Sequence, residues 1–207
     1  MTLIVPNHYY VERIKLRGFE FVAGVDEVGR GALAGPVVVA AVILDQNILI
    51  DGVKDSKLLS PKKRRELAKK IQQLAVSIGV GWSSAAEIDA LGISGAQQIA
   101  AIRAIKSLSI PVKALHLDGT HNYIGDGYDV TMLSKGDNLC ASIASASIMA
   151  KVYRDNYMKL YESSYPDFDF INNVGYGTQK HLDALKHNRS PLHRLSFRSV
   201  INETGPL

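Results

Sequence analysis

The chain has 207 residues, 46% hydrophobic and 21% charged, with a formal net charge of +4; that is enough for one domain with a full core, and its mild basic excess permits a nucleic-acid partner without requiring one. One cysteine, Cys140, excludes an intrachain disulfide framework, and none of the six histidines pairs with it at zinc-like spacing. No apolar run nears the roughly 20 residues of a membrane helix and no signal-peptide pattern opens the chain, so a cytoplasmic protein without membrane association is expected.

Residues 1–18 suggest a short opening helix or arm over His8–Arg17. Two strands then meet at a glycine-punctuated turn. The first is V-A-G-V and ends in two adjacent carboxylates, Asp26 and Glu27. The turn carries Gly29, Arg30, Gly31 and Gly35. The second strand is the apolar run Pro36–Leu44, whose β-branched content predicts burial. Adjacent carboxylates at the end of a buried strand repel each other and need a counter-charge. Arg30 supplies part of one, and a divalent metal would supply more, Mg²⁺ or Mn²⁺ suiting hard oxygen ligands. A solvated turn with a surface salt bridge is the alternative. A dinucleotide-binding loop is excluded, because the last glycine spacing is one residue too long and Pro36 leads into a strand rather than a helix.

Asp45–Asp51 reads as a turn and Val53–Ser60 as a polar connection carrying Asp55, Ser56 and Lys57. Ser60-Pro61 is a helix start signal, and the helix runs to about Leu74. Its basic residues Lys62, Lys63, Arg64, Arg65, Lys69 and Lys70 are expected to form a solvated face. Val76–Trp82 is a strand. Ala85–Leu91 and Ile93–Leu108 are helices broken near Gly92. Val112–Leu117 is a strand delivering Asp118. Residues 119–130 form a glycine-rich loop with room for an extra strand, and Val130–Leu133 is a short strand. Asn138 to about Ser163 is one long helix, with Asp137 placed as its N-cap and Cys140 in its core. Asp167–Asn173 is a loop, Thr178–His187 a helix, and the tail is irregular. The pattern suggests an α/β sandwich with a mixed sheet.

The stretch G-V-D-E-V-G-R-G-A-L-A-G-P resembles the signature of the ribonuclease HII family. The resemblance continues in D-S-K at Asp55–Lys57, L-D-G-T at Leu117–Thr120, K-G-D at Lys135–Asp137 and A-S-I-M-A-K-V-Y-R-D at Ala146–Asp155. It ends in G-Y-G-T-Q-K-H-L at Gly175–Leu182 and P-L-H-R-L-S-F at Pro191–Phe197. It implies a ribonuclease H-like α/β fold, a mixed five-stranded sheet flanked by helices, as a single catalytic domain over 1–207 with a short C-terminal tail.

If the strands ending at Asp26 and Asp118 are parallel neighbours, both acids reach one sheet edge, where α/β proteins place ligands. Asp55, Asp126, Asp129 and Asp155 remain rival acids on pattern alone. The resemblance selects Asp26, Glu27, Asp118 and Asp137 as metal-binding, catalytic carboxylates. It implies two-metal phosphodiester hydrolysis with Mg²⁺ or Mn²⁺, leaving a 5′-phosphate and a 3′-hydroxyl. Its substrates would be RNA–DNA hybrids and duplex DNA containing ribonucleotides, and a monomer is expected. Telling RNA from DNA means reading the 2′-hydroxyl, a task that suits the bare backbone of Gly29-Arg30-Gly31, with Arg30 on the adjacent phosphate. Tyr176 resembles the family tyrosine that meets the nucleotide on the 3′ side; a half-buried loop aromatic is its plain alternative. Lys57, Thr178, His181 and Arg194 are candidate phosphate contacts, and Lys180 adds bulk positive charge. The sister family ribonuclease HIII lacks the central arginine of G-R-G, which this chain has. A nuclease or phosphatase of other specificity and a non-catalytic nucleic-acid-binding module are the further alternatives.

Overall fold

A computed structural model of the protein describes residues 18–204 apart from 46 and 49; the arm expected over His8–Arg17 lies outside them. The elements in chain order are β1 (Val22–Val28), β2 (Val37–Leu44), α1 (Pro61–Leu74), β3 (Ala75–Ser83), α2 (Ala85–Lys106), β4 (Ala114–Asp118) and β5 (Asp129–Leu133). They are followed by α3 (Ala141–Leu160), the one-turn α4 (Phe170–Asn173), α5 (Gln179–Leu185) and α6 (Arg198–Thr204). The five strands form one mixed sheet in the order β3-β2-β1-β4-β5. β1 pairs antiparallel with β2 and parallel with β4, and β4 pairs parallel with β5. None of the described helices is long and apolar enough to cross a membrane.

β2 is apolar throughout because both its faces are buried. Val38, Ala40 and Val42 pack under α1 and α3 with Leu67, Ile71 and Ile148. Val37, Val39, Ala41 and Ile43 face α2 with Ile88, Ala96, Ala100 and Ala104. The small residues of α3 let it press onto β1: a β-carbon at Gly24 would lie 2.2 Å from the backbone carbon of Ser142. A third cluster, with Leu33, Met158, Phe168, Phe170, Leu185 and Val200, supports the loops at one end of the sheet.

The helix starts follow local chemistry. Ser60 Oγ accepts from Lys63 N–H at 3.2 Å, with Pro61 at the first helical position. Ser84 and Glu87 form a reciprocal capping box. The two helices expected over 85–108 join as α2 through a kink at Gly92, where φ is +71°.

Several expectations need correction. β1 continues past Asp26 to Val28 because its pairing with β2 persists there, whereas its pairing with β4 stops at Val25–Leu117. α3 begins at Ala141 rather than Asn138, because Gly136–Asn138 forms a separate 3-10 turn behind Lys135, which is left-handed at φ 56°. Asp137 is therefore not its N-cap; Cys140 holds that position without a side-chain cap and is buried. The extra strand allowed within 119–130 amounts to the first residues of β5. The Asp167–Asn173 loop contains α4, and the tail expected to be irregular forms α6, seated by buried Val200. Arg64 does not join the solvated basic face: it is buried, and its Nη1 donates to the carbonyls of Ser56 and Leu59.

Candidate active site

Consecutive strand residues point to opposite faces of a sheet, so Asp26 and Glu27 meet different surroundings. Asp26 lies on the α3 side with only 7% of its surface exposed. Its Oδ1 accepts from the Glu27 N–H at 2.8 Å. Burial, then the charges of Glu27 and Asp118, hold its carboxyl well above the usual range, against a hydrogen bond from Ser147. Glu27, on the α2 side, is raised mainly by burial, and it is held down by the Tyr123 hydroxyl, 3.3 Å from its Oε2, and by the nearby Arg30 guanidinium. Tyr123 in turn stays protonated, because burial and the two carboxylates push its own pKa well up.

Asp118 closes β4, and its Oδ1 accepts from Gly136 N–H at 2.7 Å. That bond ties the end of β4 to the turn carrying Asp137. Asp137 is 8% exposed, and its carboxyl is raised by burial and by Asp55 and Asp118, with Lys57 acting oppositely. The four sequence-selected acids thus form an electrostatically linked row, with Asp118 felt by Asp26, Glu27 and Asp137 alike. Of the rival acids, Asp55 stands next to the row, where it also caps the Ser56–Leu58 turn through Lys57 N–H. Asp155 is occupied by Lys151 at 2.7 Å.

A cluster of buried, mutually repelling carboxylates is a hard-oxygen donor set short of positive charge, which fits a divalent cation such as Mg²⁺ or Mn²⁺. Among the described residues no group of three or more His, Cys, Asp or Glu stands ready-made around an ion. As the side chains lie, Glu27 faces Tyr123 and Asp137 accepts from Asn138 Nδ2 at 3.0 Å.

The turn after β1 projects from the same sheet edge. Arg30 and Gly31 are exposed, and the Arg30 guanidinium donates to Gln97 Oε1. A cleft of about 410 Å³ opens beside it, lined by Arg30, Gln97, Gln98, His121, Asn122 and Tyr123 among others. Gly29 and Gly31 differ in kind. Gly29 has φ +94°, and a β-carbon there would strike the buried Arg154 side chain; at Gly31 a β-carbon meets nothing within 4 Å. Tyr176 is 38% exposed, with its ring 5.5 Å from the Arg154 guanidinium carbon and 5.9 Å from Lys151 Nζ. Lys57 is exposed.

The weaker sequence candidates have other partners. Arg194 is fully buried on the carbonyls of Gly29, Arg30 and Gly35, and His181 is fully buried against Tyr176 and His193. Neither is available to a phosphate. Thr178 caps α5 through His181 N–H, and Lys180 pairs with Asp169 at 3.4 Å. Sequence reading missed Tyr123, Gln97, Ser147, Arg154 and His193. Only the last three stood in quoted motifs, and nothing in their spacing reveals contacts made across more than a hundred residues of chain, as when Arg154 Nε reaches Pro36 O at 2.9 Å.

A family model described as Ribonuclease HII matches residues 23–200. A ribonuclease HII of Lactobacillus helveticus is 50% identical over 182 residues, covering 87% of this chain and 72% of that protein. Among solved structures, the ribonuclease H2 of Pyrococcus horikoshii shares the fold with a TM-score of 0.77 at 24% identity, over 89% of this chain and 97% of that one. Bst-RNase HIII, solved in complex with Mn²⁺, is similar in fold at a TM-score of 0.66 and 19% identity, over 88% of this chain and 68% of that one.

Proposed function

The chain belongs to the ribonuclease HII family, endonucleases that hydrolyse the RNA strand of RNA–DNA hybrids, and from that premise we propose that it also incises duplex DNA on the 5′ side of a single embedded ribonucleotide. The products are a 5′-phosphate and a 3′-hydroxyl. The observation that carries this reading is the placement of Asp26 and Asp118 on adjacent parallel strands, with the exposed Arg30-Gly31 backbone a few residues beyond Asp26 on the same edge.

Asp26, Glu27, Asp118 and Asp137 are the residues that would hold Mg²⁺ or Mn²⁺. When bound, two such ions supply water activation and stabilisation of the leaving oxygen in an in-line displacement. The chain's own groups do the rest. Arg30 neutralises the phosphate next to the cut. Gly31 offers bare backbone to the ribose, where hydrogen bonding to a 2′-hydroxyl rejects its absence by ~10⁴-fold or more. Tyr176 stacks on the neighbouring sugar, and Lys57 stands beside Asp137 to receive the phosphate path. All these residues come from one chain, so a single domain acting as a monomer suffices.

The test is cleavage of three end-labelled duplexes: all-DNA, continuous RNA–DNA hybrid, and DNA with one ribonucleotide. Cutting of the second and third, with the third cut 5′ to the ribonucleotide, is expected. Cutting only in runs of several ribonucleotides, or on the 3′ side, refutes the incision reading.

A further inference from the structure

The Gly29–Gly31 and Gly175–Gly177 loops come from opposite ends of the chain but are fastened together by one short segment. Leu33 and Ala34 N–H both donate to Gly175 O, at 2.8 and 3.2 Å. Gly35 N–H donates to Leu192 O at 2.8 Å and Arg194 N–H to Leu33 O at 2.9 Å. Ala34 and His193 form an isolated antiparallel bridge.

From this segment two consecutive side chains, both buried, reach one loop each. Arg194 donates from Nη2 to Gly29 O at 2.7 Å, from Nη1 to Arg30 O at 2.9 Å and from Nε to Gly35 O at 2.9 Å. A trans peptide points its N–H opposite to its C=O. Carbonyls of Gly29 and Arg30 turned inward to the guanidinium therefore aim the N–H groups of Arg30 and Gly31 outward. Neither N–H has a backbone acceptor among the described residues.

His193 reaches the other loop through His181. The Tyr176 carbonyl can only accept, so His181 donates to it from Nδ1 at 2.9 Å. Neutral His181 then accepts at Nε2 from His193 Nε2–H, also at 2.9 Å. His193 Nδ1 is left to accept from Ser190 N–H at 2.9 Å. The network fixes both tautomers and runs one way, from Ser190 to Tyr176.

A buried guanidinium that hydrogen-bonds only to carbonyls and otherwise lies over the Phe197 ring, 5.1 Å from its centroid, is a costly way to fill space, since an apolar side chain of similar volume is often no less stable. What the guanidinium adds is a fixed orientation of three peptide planes. We propose that His193 and Arg194 are positioning residues that hold the two substrate-reading loops at a set separation, Arg194 through the carbonyls of Gly29, Arg30 and Gly35, and His193 through His181 and the carbonyl of Tyr176. This rests on the reading of those loops as the substrate face. Both side chains act without touching the substrate, and displacements of about 1 Å at a reactive geometry cost up to ~10²-fold in rate.

A double-mutant cycle separates positioning from bulk stability. His193→Leu is measured alone and in a Tyr176→Ala background, on both the continuous hybrid and the single-ribonucleotide duplex, with melting temperature recorded for each protein. His193→Leu is expected to lower kcat about tenfold with KM within about twofold of wild type, and to cost less than about twofold when Tyr176 is already alanine. His193→Gln, which keeps an amide donor where Nε2 stood, should recover most of the loss. Should the leucine variant fail to fold, His193→Asn, too short to reach His181, takes its place. Arg194→Lys set against Gly31→Ala is the parallel cycle for the other loop. Equal fold losses in both backgrounds, or no recovery by glutamine, overturn the proposal. A wild-type enzyme that cuts only the continuous hybrid would sink the incision reading and still leave the cycle readable on that substrate.

Discussion

Asp26 and Asp118 each stand one position beyond Val25 and Leu117, the last residues paired across the parallel β1–β4 ladder. The ladder therefore ends where the two carboxylates begin, and Asp118 is one of the neighbours that raise the Asp26 carboxyl. Asp118→Asn or Asp26→Asn should remove cleavage while raising the metal-free melting temperature by a few degrees, since relief of about 1 kcal/mol shifts a domain of this size by ~2–4 °C. Wild-type rates from the Asp118→Asn protein would exclude these acids from the chemistry.

Gly31→Ala tests whether bare backbone reads the substrate. Its β-carbon would meet nothing within 4 Å, so the fold should be unaffected, within about 0.5 kcal/mol as for other unstrained surface changes. Cleavage should nevertheless fall by tenfold or more, because the methyl group occupies the ribose approach. Gly24→Ala is the opposite case: its β-carbon overlaps the Ser142 backbone, and a loss of about 1–3 kcal/mol is expected from overpacking. Denaturant melts of the two variants, read beside their rates, decide; a Gly31→Ala enzyme of full activity excludes the backbone-reading role.

Binding should run through phosphates and weaken with salt, with a log–log slope of about −0.9 per neutralised phosphate on duplex DNA. Arg30→Ala should make that slope shallower by about one phosphate. Lys69→Ala, on the exposed flank of α1, should change it little. Affinity that is flat with salt for the wild-type protein contradicts a phosphate-led mode.

The histidine pair predicts an acid-side loss of stability. Unfolded histidine titrates near 6.5, whereas burial and the neighbouring His181 push His193 down to about 4. Burial lowers His181 as well. Between those values the unfolded chain binds a proton that the native chain refuses. The stabilisation is thus complete above about pH 6.5 and is lost as pH falls toward 4, amounting to about 3 kcal/mol for His193. His193→Gln should flatten the wild-type fall in urea midpoint between pH 7 and 5. Parallel curves for the two proteins would show that the pair is not what titrates.

Much of this was legible in the sequence, and the limits have physical causes. The apolar runs that end in acids located β1, β2 and β4, because burial on both faces writes itself as unbroken hydrophobicity. Ser60-Pro61 located α1, because a cap satisfies its own backbone locally. The role of Arg194 was not legible. A buried arginine bonded to carbonyls has no local signature, and its motif looked equally suited to phosphate. Arg64 was misplaced for the same reason, since its partners at Ser56 and Leu59 lie in a connection that folds back only in three dimensions. The cap reading of Asp137 failed because the residue lies within a 3-10 turn that precedes α3, and a one-turn offset is invisible to helical periodicity.

The parallel pairing of β1 with β4 also sets an order of assembly. β1, β2 and β3 are successive antiparallel neighbours; β1 and β2 can zip together across one short turn, and β3 joins β2 through the connection that holds α1. β4 reaches β1 only after α1, β3 and α2 have formed or been bypassed, and such non-local closures come late and slowly. A chain still emerging during synthesis thus exposes Asp26 and Glu27 without Asp118 beside them. If these acids carry the chemistry as proposed, hydrolytic capacity should arise only when the second half of the sheet docks. Pulsed hydrogen exchange during refolding should show β2 and β3 amides protected before those of β4, with cleavage appearing only alongside the latter.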